Sequence, residues 1–314
     1  MTGPPLAASS RLSEDAPLAL FLGERSEEVS GTRSSNAGVI YDFGMHDGSD
    51  LEYYLKKGLK VVSVEANPDL CTLVSEAYRS EIEMGRLTVV NVALSSQDSG
   101  ETDFYIHKSN DVLSQLPRPA PEVLHEFEVR QIGQRRASSV IVEHGTPHYV
   151  KIDLEHYDHI VLRELFSAGI FPDHISAEFW TIEVFALLVT AGYTAFNLLD
   201  GRFVPLDYGD AVIATPHGPL SYAFPPHSAG PFGDDIASPW WDKEAFASVL
   251  VAEGLGWRDI HASKIIPPRK FEPQPPVMPL RHHMKDLFPS WKRGREYLAR
   301  WSTINAIYKA AGKP

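Results

Sequence analysis

Asp42, Gly44, His46, Asp47 and Gly48 fall within seven residues at the end of an apolar run, in the text VIYDFGMHDGSD (39–50). An apolar run, a glycine-containing turn and a helix start form the cradle that nucleotide-type ligands use. The spacing here is DxGxxxG, not the GxGxxG that brings a helix N-terminus against a pyrophosphate. Carboxylates at such a turn repel phosphate and suit a ligand carrying ammonium or sulfonium charge. Glu65 closes the next apolar run, KVVSVEANP, with Asn67 two residues on, and an acid at that position can accept both hydroxyls of a ribose. A third run, LTVVNVA, ends in Asn91, Val92 and Ala93, which suits the flank of an adenine. Such a site suits the adenosine and the ammonium and sulfonium charges of S-adenosylmethionine.

A second group of acids and imidazoles lies further along. Lys151–His156 reads KIDLEH, and on an extended strand Asp153 and Glu155 share one face. Two carboxylates there can orient a hydroxyl, take its proton, or hold a divalent cation, and structural hydrogen bonding is the competing role. Glu178, in ISAEF, ends the following run, so Asp153 and Glu178 are the candidate ligands for a magnesium ion. His156 is the candidate base, its proton affinity expected to rise beside the acids, and His227 in HSAGPFG competes for the role. Asp50 is expected to cap the first helix. The segment 206–235, with Tyr208, His217, Tyr222, Phe224, His227 and Phe232, reads as a lid over an acceptor or as a surface loop pinned by its aromatics.

These tips need a sheet to carry them. Apolar runs of strand length at 38–43, 60–66, 87–92, 102–107, 148–154, 174–179 and 193–199 alternate with helical patterns at 50–57, 68–80, 158–168 and 181–191. That alternation predicts an α/β fold, a doubly wound and mostly parallel sheet with helices on both faces. Between 107 and 147 the text is polar and reads as a crossing segment. Asp200-Gly201 before RFVPL is a hairpin signal and predicts one antiparallel strand there. A helix over 239–252, with Trp240 and Trp241 anchoring it in the core, precedes a short strand-like piece, WRDIHA. The expected organisation is an N-terminal arm over 1–36, a ligand-binding domain over 37–262, and over 263–314 a proline-rich linker ending in a basic amphipathic helix.

The chain has 314 residues and a net charge of −12, which argues against a nucleic-acid partner. Residues 263–314 hold eleven basic and three acidic residues, so the basic end can dock on the acidic remainder or on a second copy of the chain, giving a homo-oligomer through the C-terminal helix. One cysteine, Cys71, excludes an intrachain disulfide and fits a reducing compartment. No run reaches the ~20 apolar residues of a membrane span and no secretory signal is recognisable, so the expected location is cytoplasmic.

The segments YDFGMHDGSDLEYYLKKGLKVVSVEANPDLC, GRLTVVNVALS, YVKIDLEHYDHIVLREL, ISAEF, AGYTAFNLL and HSAGPFGDD closely resemble, in that order, the FkbM-type S-adenosylmethionine-dependent methyltransferases. The likeness runs from about residue 39 to 262, and the first turn, VEANP, KIDLE and GPFG are its most specific parts. It implies a class I methyltransferase (Rossmann-like) fold, a seven-stranded sheet with one antiparallel strand, and methylation of hydroxyls on sugars or natural products. By motif position it also implies that Asp42, Gly44, His46 and Gly48 line the methionine part, that Glu65 holds the ribose, and that Asn91 to Ala93 lie near the adenine. Two departures fall where the acceptor would approach: the family usually has glycine where this chain has His156, and GSSGPFG is HSAGPFG here, with Ser228 and Ala229. The expected activity is O-methylation of a small-molecule or sugar acceptor. A non-catalytic binding or assembly module, with His156 blocking the acceptor, and a nicotinamide-dependent oxidoreductase are the alternatives.

Overall fold

The computed structural model describes residues 38–269; the arm expected over 1–36 and the basic C-terminal helix lie outside the described residues. The first half of the chain forms β1 (Val39–Phe43), α1 (Leu51–Lys56), β2 (Lys60–Glu65), α2 (Pro68–Ala77), α3 (Arg79–Glu83), β3 (Leu87–Asn91), β4 (Ala93–Leu94), β5 (Glu101–His107), β6 (Phe127–Arg135) and α4 (Ala137–His144). The second half forms β7 (Pro147–Ile152), α5 (Asp158–Ser167), β8 (His174–Glu178), α6 (Ile182–Thr190), β9 (Ala195–Leu199), α7 (Val204–Asp207), β10 (Ala211–Thr215), β11 (Gly218–Tyr222), α8 (Lys243–Glu253) and β12 (Asp259–Ser263).

Seven strands make the central sheet in the order β3-β2-β1-β7-β8-β12-β9, and β12 alone runs antiparallel to both its neighbours. This is the class I methyltransferase arrangement that the resemblance implies. Winding runs outward from β1 to β3, then the chain crosses to β7 on the other side of β1. The reversal leaves a crevice beyond the carboxyl ends of β1 and β7, where open α/β sheets place ligands.

Burial on both faces accounts for the near-continuous apolar text of the strands. Tyr41, Phe43, Val62 and Val64 face one cluster with residues of α4, α5, α6 and α8, while Ile40, Val61 and Tyr149 face another with α1, α2 and the aromatics of 208–240. Each such side chain removed from water stabilises the fold by about 1.5–3 kcal/mol. Asp42 and Lys151 are partners in the β1–β7 register and share the face of Ile40 and Tyr149.

Three expectations about the elements are corrected. RFVPL is not a strand: Pro205 opens the short helix α7, and the antiparallel strand is β12, from the WRDIHA piece. All five β12 residues are buried, as a strand inserted between β8 and β9 requires. The polar stretch after 107 is not mere crossing chain. It holds β6, which pairs antiparallel with β5 and keeps most of its residues in solvent contact, so its polarity hid a strand. Segment 207–236 contains the β10–β11 hairpin. Trp240 is buried as expected, whereas Trp241 exchanges backbone hydrogen bonds with Phe196 and covers the outer edge of β9. Among the described residues, no helix is long and apolar enough to cross a membrane.

Candidate functional site

Gly44, Glu65, Ala93 and Asp153 line one hollow at the carboxyl ends of β1, β2, β3 and β7. Gly44 sits at φ +86, and a Cβ on it would overlap the backbone oxygen of Asp153, so the close approach of the β1 and β7 tips demands glycine. Glu65 is held from both sides: its Oε2 accepts the His46 N–H at 3.0 Å and its Oε1 the Asn67 N–H at 2.7 Å. Burial pushes its pKa above the ordinary carboxylate value, against the pull of those two donors. Val92, Leu94, Phe104 and Leu116 supply an apolar wall. Phe104 and Leu116 carried no signal in the sequence, because nothing in ETDFYIH (101–107) or SQLPR (114–118) marks which side chain will line the hollow.

The other expected cofactor residues surround the hollow without lining it. Asn67 caps α2, accepting from Asp69 N–H at 3.0 Å, and serves Glu65 through its backbone. Asn91 spends its amide on the carbonyls of Glu65 (2.9 Å) and Ala66 (3.1 Å), which fastens the β2 exit rather than offering a group to a base. Gly48 packs against Leu51 and Val74. His46, at φ +51, lies at the rim with its Nε2 3.3 Å from Asp111 Oδ1 and its Nδ1 3.6 Å from Asp47 Oδ1. The hydrogen bond to Asp47 raises its pKa above the ordinary imidazole value.

Asp42 is fully buried behind the turn, where Lys151 meets it. Lys151 is the residue that sequence reasoning missed. Its Nζ donates to the Gly44 carbonyl at 3.1 Å and lies 3.4 Å from Asp42 Oδ1, 3.4 Å from Asp153 Oδ2 and 3.8 Å from Asp50 Oδ2. A lysine inside the apolar text YVKIDL was the available signal, since a buried ammonium requires partners. Burial alone would lower its pKa, yet the surrounding carboxylates hold it well above the usual lysine value, so it stays charged. Burial pushes Asp42 up to about 7 despite this cation. Asp50 makes no side-chain cap bond to α1, contrary to expectation. Its Oδ1 accepts from Ser228 Oγ at 2.5 Å and Ala229 N–H at 3.1 Å, which ties HSAGPFG to the first turn through a serine that matches the family pattern and an alanine that departs from it.

Beyond Lys151 lies an acidic edge. Asp153 and Glu155 do not share the face of a strand, because β7 ends at Ile152 and the chain turns through Glu155 (φ +43) and His156 (φ +71). The turn nevertheless converges the acids: oxygens of Asp153, Glu155 and Glu178 lie within 4.8 Å of one another. Asp158 is buried beside them, with its Oδ1 accepting the Glu178 N–H at 3.2 Å, and Asp259 stands opposite Glu178 in the β8–β12 register. Burial, reinforced by the neighbouring acids, pushes Glu155 up to about 8, Asp158 to about 7 and Glu178 to about 11.

The two candidate bases stand on separate elements. The His156 ring packs against Trp180, centroids 4.9 Å apart, and burial lowers its pKa, the reverse of the expected rise, because no carboxylate bonds to the ring. Its φ of +71 lies in the left-handed region that glycine adopts without strain. His227, at φ +67, stacks on Trp257 at 6.2 Å and accepts from Ser49 Oγ through its carbonyl. The aromatics expected to form a lid turn inward instead: Tyr208, Tyr222, Phe224 and Phe232 are buried, and Phe232 stacks on Tyr149 at 4.2 Å. His217 lies away from the hollow, beside Glu52 and Arg86. Trp180, two residues past β8, and Trp257, two residues before β12, are each partly exposed.

A comparison with curated proteins returned no match. Among solved structures, methyltransferase FkbM from Methylobacillus flagellatus KT is 14% identical at a TM-score of 0.32, the match covering 49% of this chain and 36% of that one. The C-terminal domain of precorrin-6Y C5,15-methyltransferase from Rhodobacter capsulatus is 13% identical at 0.33, covering 72% and 79%. Precorrin-6Y C5,15-methyltransferase from Geobacter metallireducens GS-15 is 12% identical at 0.29, covering 59% and 73%. Residues 42–185, which hold the β1 turn, Glu65, Lys151, Asp153 and Glu178, match the family described as Methyltransferase FkbM domain. Over that segment the chain is similar to the FkbM methyltransferase domain.

Proposed function

We propose that this protein uses S-adenosylmethionine to methylate a hydroxyl of a sugar or natural-product acceptor. The observation that carries the reading is the shared hollow of Gly44, Glu65 and Asp153, with Glu65 already oriented by two backbone N–H groups. The residues present fit the cofactor. Glu65 keeps lone pairs for two ribose hydroxyls, the wall of Ala93, Leu94 and Phe104 suits an adenine, and the carboxylates around the turn suit a cationic ligand. When bound, S-adenosylmethionine supplies a methyl whose bonding pair returns to sulfur as the acceptor O–C bond forms.

The chain's own groups then have three tasks. Lys151 draws the Gly44 carbonyl, Asp42, Asp50 and Asp153 into one arrangement, which fixes the β1 and β7 tips before any ligand arrives. Trp180 and Trp257 offer faces on which a sugar or a ring can stack. His156, kept neutral by burial, takes the hydroxyl proton at an imidazole nitrogen.

Calorimetric titration with S-adenosylhomocysteine and with NADH, followed by labelled S-adenosylmethionine and a panel of sugars and aglycones, tests this. The expected result is binding of the homocysteine, none of NADH, and label transferred to a hydroxyl. Absence of S-adenosylhomocysteine binding overturns the reading. Binding without transfer across the panel turns the assignment to a non-catalytic module.

A further inference from the structure

We infer that Asp153, Glu155 and Glu178 bind one oxygen-preferring divalent cation, magnesium, manganese or calcium, beside the hollow. Its role in ordering the acceptor rests on the proposed methyl transfer; the site itself rests on the acids. Their oxygens approach within 4.8 Å of one another from a strand end and a turn on separate segments. Opposite ligands on ions of this type, with bonds of 2.0–2.6 Å, stand about 4–5 Å apart, so little movement is needed to close the shell.

Two further observations point the same way. Asp158 is 2% exposed, one carboxylate oxygen is held by the Glu178 N–H, and the other has no hydrogen-bond partner among the described residues. Asp259, 4% exposed, faces Glu178 as a direct cross-strand neighbour, a placement that two like charges resist. Among the described residues, the ion pairs reach this group through Lys151, which is shared with Asp42 and Asp50 and sits 3.4 Å from Asp153 alone of the three proposed ligands. The Trp180 indole N–H occupies Glu178 Oε2 at 2.5 Å, which leaves Oε1 for the ion. Asp153 is 37% exposed at its side chain, so water or an acceptor oxygen can complete the coordination. A hydroxyl bound there would lose its proton more readily, easing the demand on His156.

Trp180 provides the probe. Terbium added to the full chain without cofactor should give luminescence on tryptophan excitation, and manganese, magnesium or calcium should displace it. Trp180→Phe should remove most of the luminescence while manganese binding, read by electron paramagnetic resonance, persists. Glu178→Gln and Asp153→Asn should each weaken manganese binding about 10-fold or more, with thermal melts confirming that both variants fold. Failure of the folded protein to bind any of these ions saturably at millimolar concentration overturns the inference and assigns the charge balance to shared protons. Binding that both variants leave unchanged overturns it as well. Parallel titration with S-adenosylhomocysteine separates the two proposals: loss of ion binding alone leaves methyl transfer standing, and loss of S-adenosylhomocysteine binding alone leaves the ion site standing.

Discussion

The hollow at the tips of β1, β2 and β3 and the acidic edge at the tips of β7, β8 and β12 are neighbours that handle charge in opposite ways. In the hollow the carboxylate of Glu65 is met by two backbone N–H groups and an apolar wall, and Asp153 marks the border with the edge. At the edge Asp153, Glu155, Asp158, Glu178 and Asp259 crowd together, and Lys151 also serves Asp42 and Asp50. A site whose polar groups are satisfied by its own backbone is preorganised for one ligand. A site whose charges outnumber their partners retains a demand that something from outside must meet.

Replacing Gly44 by alanine tests whether the hollow depends on that preorganisation. A Cβ at φ +86 against the Asp153 carbonyl should cost about 2–5 kcal/mol of stability and abolish S-adenosylhomocysteine binding, measured by thermal melts and calorimetry. An alanine variant with unchanged binding would separate the β1 turn from the ligand site. On the acidic side, His156→Gln should lower turnover about 100- to 10,000-fold with little change in S-adenosylhomocysteine affinity. His156→Gly should lose activity to the same degree yet melt no lower than the parent, because glycine relieves the left-handed φ of +71.

Smaller effects distinguish the two regions further. Glu65→Ala should weaken cofactor binding by about 1–3 kcal/mol, while leaving manganese binding at the acidic edge unchanged. A parallel loss of both would show that the regions are one coupled site. Beneath the edge, β12 continues inward from Asp259 to His261, and burial pushes His261 down to about 3 and its neighbour His174 to about 4. Each is neutral in the fold and binds a proton more readily when unfolded. Their stabilisation is therefore complete above about pH 6.5 and lost as pH falls toward the folded values, about 2 kcal/mol for each at pH 5. Melting temperature should drop through that window, and His261→Gln should flatten the decline. An unchanged slope would move the acid sensitivity away from β12.

Much of this was legible from one dimension of text. The strand tips of VIYDFG, VSVEANP and KIDLEH announced themselves because a buried strand must be apolar and its functional groups must wait for its end. The antiparallel strand was misplaced because Asp200-Gly201 satisfies hairpin chemistry locally, whereas burial of all five β12 residues is a property of the assembled sheet. The supposed lid failed for a related reason: an aromatic side chain in loop-like text can stack on a ligand or on Tyr149, and only packing distinguishes them. Lys151 passed unnoticed because its partners come from β1, the α1 start and its own strand exit, a set no local pattern assembles.

By itself the sequence determined the alternation of strands and helices, the glycine at the first turn and the acids at successive tips, since each follows from period, backbone freedom or local solvation. Tertiary structure alone decided which acids are satisfied and which are not. Whether a carboxylate at a strand tip rests against two N–H groups, as Glu65 does, or against other carboxylates, as Glu178 does, depends on long-range register and turn conformation. Electrostatic energy in a low-dielectric interior is set by those few ångströms of separation, which residue order does not encode locally.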